Sequence, residues 1–249
     1  MNPDVFRRLV DLNRQFYDQF ARSFTATRPG PLAGVDRLLD TVPDQAAVLD
    51  VGCGGGQLAL ALDRLRRPVR YLGVDVSPQM LACAREATRD LRHVTAEFVL
   101  ADVTEPGWLE RLPHRSFDVV ALLAVLHHIP DVVVRRRLLR QLAGLLTEAG
   151  VIWVTTWQFL NSERLRARVQ PWSLIGLSEQ DVDPGDYLLD WRRDGYGLRY
   201  CALIGEPALR DLAWQAGLRP VEIYVAGREG LNLCAVLRPA GSADLPRSS

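Results

Sequence analysis

The sequence contains no lysine: all 30 of its basic residues are arginine. This excludes any chemistry that needs a lysine, such as a Schiff base, a phosphate-loop lysine or a lysine general base. The 30 acidic residues balance the arginines to a formal net charge of zero. A globally basic nucleic-acid binder is therefore excluded, although a local arginine surface remains open. Asparagine and isoleucine are scarce while alanine, leucine, glycine and proline are abundant, so the missing lysine reads as codon bias. Cysteine is sparse too. Cys53, Cys83, Cys201 and Cys234 form no Cys-x-x-Cys pair, and no histidine stands at zinc-finger spacing to them. Isolated thiols fit a reducing compartment. No apolar stretch approaches the roughly 20 residues of a membrane span, and no apolar signal region follows Met1 to Arg8. The expectation is a cytoplasmic protein with no membrane contact and no metal.

What is present is ordinary globular composition, 249 residues with 48% hydrophobic and 24% charged. A single domain over 1–249 is expected. Val5, Leu9, Leu12, Phe16, Phe20 and Phe24 recur at helical spacing over 4–24, and Pro29-Gly30-Pro31 breaks the pattern. This helix belongs to a segment, 1–32, expected to fold as a lid. Apolar strands near 46–51, 70–75, 96–101, 117–123 and 151–156 alternate with helices near 56–66, 77–90 and 132–147. Alternation of this kind builds right-handed βαβ units and a parallel sheet. Residues 157–205 break the rhythm and are expected to form an insertion of irregular and short helical structure. A helix near 206–217 and a closing antiparallel hairpin, 219–226 with 231–238, follow; a tail occupies 239–249.

The informative segment is Asp50-Val51-Gly52-Cys53-Gly54-Gly55-Gly56. A glycine turn after the first strand lets a ligand approach the backbone and a helix start. The dinucleotide pattern needs glycine at position 57, where Gln57 stands. Asp50 would also repel a pyrophosphate, whereas it suits a cationic ligand. Asp75 ends the second strand, where a carboxylate can accept both hydroxyls of a ribose. Ala101-Asp102-Val103 ends the third, where a carboxylate and a backbone N–H can hold an adenine edge. Leu123-Ala124-Val125-Leu126-His127-His128 ends the fourth.

Taken in order, these segments resemble class I S-adenosylmethionine-dependent methyltransferases over roughly 45–157. Further matches are Ser116-Phe117-Asp118-Val119-Val120 and Leu145-Leu146-Thr147-Glu148-Ala149-Gly150, with Ala149 where a glycine is common. The resemblance implies a Rossmann-like, seven-stranded, mostly parallel α/β sheet whose last strand is antiparallel. It implies S-adenosylmethionine as cofactor, leaving as S-adenosylhomocysteine. Asp50, Gly52, Cys53 and Gly54 would meet its methionine part, Asp75 the ribose, and Val76 and Met80 the adenine faces. Ala101, Asp102 and Val103 would meet the adenine edge, and carbonyls near Leu123 and Ala124 the ammonium. Methyl transfer rests on alignment and desolvation, so no catalytic acid or base is assigned.

A narrower resemblance, to the tRNA wobble-uridine carboxymethyl methyltransferases, runs through Phe16 to Arg28, Ala124 to Ile129, Trp157, Tyr187 to Trp191 and Arg199-Tyr200. It implies Tyr17 and Arg28 at the cofactor and an acceptor site drawing on His127, His128, Tyr187, Trp191, Arg199 and Tyr200. The departures are Cys201-Ala202 in place of Tyr-His, Pro31-Leu32 in place of Pro-Trp, and Asn232-Leu233 in place of Asn-Trp. Arg199 can bind an acceptor carboxylate or phosphate, or pair with the acids of 179–190. Arg135, Arg136, Arg137 and Arg140 are expected on a solvated helix face. The acceptor is then tRNA or a small metabolite methylated on oxygen or nitrogen. A non-catalytic cofactor-binding module, or one working with a small partner protein, would carry the same motifs.

Overall fold

The computed structural model describes residues 1–27, 30 and 33–241. Helix α1 (Pro3–Ala26) starts where Asn2 accepts the Asp4 N–H and Pro3 supplies a preset first turn. Its Val5, Leu9, Phe16 and Phe20 are buried. Helix α2 (Asp36–Leu39) leads into β1 (Ala47–Val51), every residue of which is buried. Then follow α3 (Gln57–Asp63), β2 (Val69–Asp75), α4 (Pro78–Ala87), β3 (Val94–Leu100), β4 (Phe117–Leu123), α5 (Val132–Ala143) and β5 (Leu146–Trp157). Helix α4 is capped by Ser77, whose hydroxyl accepts the Met80 N–H.

After β5 come α6 (Glu163–Arg166), β6 (Val169–Gln170), β7 (Asp186–Trp191), β8 (Gly197–Ala202), α7 (Glu206–Gln215), β9 (Leu218–Ala226) and β10 (Asn232–Pro239). The main sheet has seven strands in the order β3-β2-β1-β4-β5-β10-β9. Strands β1 to β5 pair in parallel, and β10 runs antiparallel to both β5 and β9. This is the fold class that the motif order implies. Two apolar clusters cover the sheet, one containing Leu49, Leu122, Leu139 and Val154, the other Val48, Leu58, Leu62 and Trp153.

The insertion departs from expectation. It is not merely irregular and helical: β6, β7 and β8 form a second, antiparallel sheet. Its residues are short runs broken by acids and arginines, and what makes them strands is burial of Leu188, Leu189, Tyr200 and Cys201 by packing from elsewhere. Helix α1 packs against both β8 and α4, tying the insertion to the carboxyl edge of the main sheet. Arg135 is the second departure. It is buried rather than solvated, and donates to the Ile129 carbonyl and to Asp186. Arg28 and the tail from 242 onward lie outside the described residues. Among the described residues, no helix is long and apolar enough to cross a membrane.

Candidate active site

Because β1 to β4 run parallel, their carboxyl ends meet at one edge of the sheet, the place where open α/β folds bind ligands. A cavity of about 300 Å³ lies there. It is lined by Asp50, Gly52, Cys53 and Gly54 after β1, and by Asp75, Val76 and Met80 after β2. Ala101, Asp102 and Val103 line it after β3, and Leu123, Ala124, His127 and His128 after β4. Helix α1 contributes Tyr17, and β8 contributes Arg199.

The glycine turn is built for close approach. Gly52 and Cys53 both donate to the Val74 carbonyl, at 2.7 and 3.0 Å. Gly52 has φ +72°, and a Cβ there would stand 2.3 Å from Val125 Cγ2. Gly54 has φ +52°, and nothing lies within 4 Å of where its Cβ would point. The turn thus presents bare backbone. The Cys53 thiol is buried, and burial pushes its pKa well up, so it stays protonated.

Two carboxylates sit behind the turn. Asp50 accepts the Tyr71 hydroxyl at 2.6 Å. Burial pushes its pKa up to about 7, against the Tyr71 hydrogen bond and with added repulsion from Asp75. Asp75 accepts Gly54 N–H on one oxygen and Ser77 N–H on the other, both at 2.9 Å. Burial raises its pKa despite these bonds. The Val76 N–H also bonds to this carboxylate, so three backbone donors hold it at the carboxyl end of β2. Asp102 accepts the Thr104 N–H and hydroxyl on one oxygen, at 2.8 and 2.6 Å. Ala124 has φ +57°, unusual for a residue with a side chain, and its N–H is held by Thr155 Oγ1 at 2.8 Å.

Helix α1 crosses the opposite side. Asp18 accepts the Ser77 hydroxyl, and Thr25 Oγ1 lies 3.8 Å from Met80 Sδ. Arg199 is buried, its guanidinium 5.2 Å from the Phe16 ring and 4.9 Å from the Trp157 ring. Its Nε has no hydrogen-bond partner among the described residues. The nearby acids are taken by other arginines: Asp186 pairs with Arg135, and Asp190 with Arg168 and Arg192.

Tyr187, Trp191 and Tyr200, expected at the acceptor, do not line the cavity. Tyr187 packs on Phe159, and Trp191 on Phe16, Phe20 and Phe24. Tyr200 is fully buried, with its hydroxyl on Asp186 and Arg135. Asn13 and Trp157 do line it, and their roles are not evident from the sequence. Asn13 donates to the His128 and Tyr200 carbonyls and accepts the Tyr200 N–H. Its signal is a polar residue between Leu9 and Phe16 on the apolar stripe of α1.

His127, His128 and Cys201 bring donor atoms within 4.8 Å of one another. These atoms already have partners: His127 Nδ1 faces Trp157 N, and His128 uses both ring nitrogens. Burial pushes the Cys201 thiol up to about 12. The three side chains are hydrogen-bonded to neighbouring groups rather than to one another.

Comparison with known proteins decides the family. A model of the methyltransferase domain matches residues 49–152. A protein of Encephalitozoon cuniculi with a provisional methyltransferase name is 30% identical over 225 residues, 90% of this chain and 93% of that protein. The chain belongs to the methyltransferases.

A solved methyltransferase of this kind from Methanosarcina mazei shares the fold, with a TM-score of 0.65 at 18% identity over 84% of this chain and 99% of that one. The methyltransferase is also 24% identical to the tRNA (carboxymethyluridine(34)-5-O)-methyltransferase of Arabidopsis thaliana, over 62% of this chain but 34% of that protein. The cavity fits S-adenosylmethionine, the cofactor that the strand-end motifs imply. Bare backbone at Gly54 and two buried carboxylates match its cationic, diol-bearing structure.

Proposed function

We propose that this methyltransferase acts on a small acceptor that carries an anionic group, held by Arg199. The cofactor supplies an electrophilic methyl group on a sulfonium. Asp50 and the 52–54 turn hold its amino-acid part, and the Leu123 and Ala124 carbonyls face its ammonium. Asp75 accepts the ribose hydroxyls. Val76 and Met80 flank the adenine, whose edge meets Ala101, Asp102 and Val103. Tyr17 closes the cavity from α1, and its helix excludes water.

Arg199 carries the acceptor reading. Taking a guanidinium out of water costs several kcal/mol unless it is paired. Contacts with two ring faces return about 1–2 kcal/mol each. The remainder is best met by an anion entering from the cavity, a carboxylate or a phosphate bound by the planar fork.

A second reading, methylation of a tRNA carboxymethyl group, draws on the Arabidopsis relative and would also place a carboxylate on Arg199. The arginine clusters favour a small molecule. Arg136 and Arg140 bond to Gln215, Arg137 to the Thr104 carbonyl, Arg166 to Leu160 and Arg168 to Asp190. These cations are engaged within the chain rather than arrayed for a phosphate backbone.

The test is incubation with methyl-labelled cofactor against separate tRNA and small-metabolite fractions. Label is expected in the small-metabolite fraction, with weak salt dependence. Label confined to tRNA, falling steeply with salt, would overturn the proposal in favour of the second reading.

A further inference from the structure

Tyr17 and His128 come from segments 111 residues apart and meet inside the cavity. The Tyr17 hydroxyl lies 2.7 Å from His128 Nε2, with the two rings edge to face. His128 Nδ1 lies 3.1 Å from the Tyr200 carbonyl oxygen. A carbonyl oxygen only accepts, so Nδ1 carries a proton whatever the charge of the ring. The variable proton therefore sits at Nε2, on the side of Tyr17. With neutral His128 the tyrosine donates to Nε2; with protonated His128 Nε2 donates to the tyrosine oxygen. The pair can hold one extra proton without moving a heavy atom.

The surroundings fix the geometry. Asn13 clamps the carbonyls of both His128 and Tyr200. Tyr200, whose carbonyl sets the His128 tautomer, is anchored by its hydroxyl to Asp186 at 2.6 Å. The neighbouring His127 is no rival base. Burial, then the charges of His128, Arg199 and Arg135, push its pKa well below the ordinary histidine value. Asp50 and Asp75 are committed to Tyr71 and to backbone N–H groups.

We infer that Tyr17 and His128 take up a proton from the acceptor, which makes its reacting group a hydroxyl or an amine rather than a carboxylate. The inference rests on the small-acceptor reading above. The lone pair of the acceptor oxygen or nitrogen forms the new bond to the methyl carbon. The carbon–sulfur bond breaks and leaves its electron pair on sulfur. The acceptor's proton passes to the Tyr17 oxygen as the tyrosine's own proton passes to His128 Nε2, which ends as imidazolium. Tyr17 is the catalytic residue, His128 the positioning residue behind it. Arg199 then anchors the anionic group of a molecule that reacts elsewhere.

Two measurements test this. The first is nitrogen-15 NMR of the histidine rings in the full chain with bound S-adenosylhomocysteine. The neutral His128 ring is expected as the Nδ1–H tautomer, with Nε2 shifting in Tyr17→Phe. An Nε2–H tautomer, or no shift in that variant, overturns the pair. The second uses methyl-labelled cofactor and the small-metabolite fraction, with products treated with alkali. The label should resist alkali, as ethers and N-methyl groups do. Tyr17→Phe and His128→Gln should each lower kcat about 10²–10⁴-fold, and S-adenosylhomocysteine affinity should stay within about threefold in His128→Gln. Label released as methanol marks a methyl ester and overturns the inference while sparing the small-acceptor reading. Wild-type kcat in Tyr17→Phe overturns the proton pair alone. Absence of any labelled small molecule, with cofactor binding intact, overturns that reading and the inference with it.

Discussion

Asp50→Asn separates stability from cofactor binding. In the folded protein the Asp50 carboxyl has a pKa of about 7, chiefly because it is buried. In the unfolded chain it has the ordinary value of 3.8. Between these values the folded state holds a proton that the unfolded state has lost. Stability therefore falls as pH rises through the window and levels off above it. The gap of about 3 pH units corresponds to at most about 4 kcal/mol, at about 1.4 kcal/mol per unit. Asparagine cannot ionise, yet its side-chain oxygen still accepts the Tyr71 hydroxyl. Without cofactor, the variant should match the parent near about pH 4 and exceed it by about 2–4 kcal/mol near about pH 8. For a chain of this size that is a gain of about 5–10 °C in Tm. Cofactor affinity should move the other way, since a cationic ligand favours the ionised carboxylate. Parent affinity should fall about tenfold per pH unit below about pH 7, and the variant should lose this dependence. Thermal unfolding and titration calorimetry across pH provide the readout. A stability difference that stays constant between acid and alkaline pH would refute the reasoning.

The other predictions concern single contacts. Gly52→Ala forces a Cβ to 2.3 Å from Val125 Cγ2 at φ +72° and should cost about 2–3 kcal/mol in denaturant unfolding, with partial rescue by Val125→Ala. Asp186→Ala leaves Arg135 buried without its carboxylate and should cost about 3–5 kcal/mol by the same measurement. Arg199→Met removes the cation lying over Phe16 and Trp157. Stability should change by less than about 1 kcal/mol while acceptor KM rises at least about tenfold, as expected when an anion loses its charged partner. An unchanged KM would speak against an anionic acceptor.

The carboxyl-edge motifs were legible in the sequence because a parallel sheet makes them local. Each strand ends at the same edge, so Asp50, Asp75, Asp102 and Ala124 follow from strand order alone. The glycine turn follows from the positive φ that Gly52 and Gly54 adopt. Those properties need only a few neighbouring residues and the handedness of βαβ units.

Tertiary packing decided the remainder. The sequence shows arginines and acids in 135–140 and 179–190 but does not say which pair. The ion pair between Arg135 of α5 and Asp186 of β7 takes that acid, and Arg199 faces the cavity. Strands β7 and β8 carry weak local signals and exist because both of their faces are buried, Leu188 and Tyr200 in the main core and Leu189 and Cys201 with Phe159. Tyr17 meets His128, and Asn13 meets Tyr200, only once α1 lies across β8. Such contacts join positions more than 100 residues apart. Their geometry depends on packing angles and distances between elements, to which no local pattern of residue types is sensitive. The order of the strand-end motifs carries the methyltransferase family and the ligand edge of the sheet, while Tyr17, His128 and Arg199 come together only in the tertiary fold.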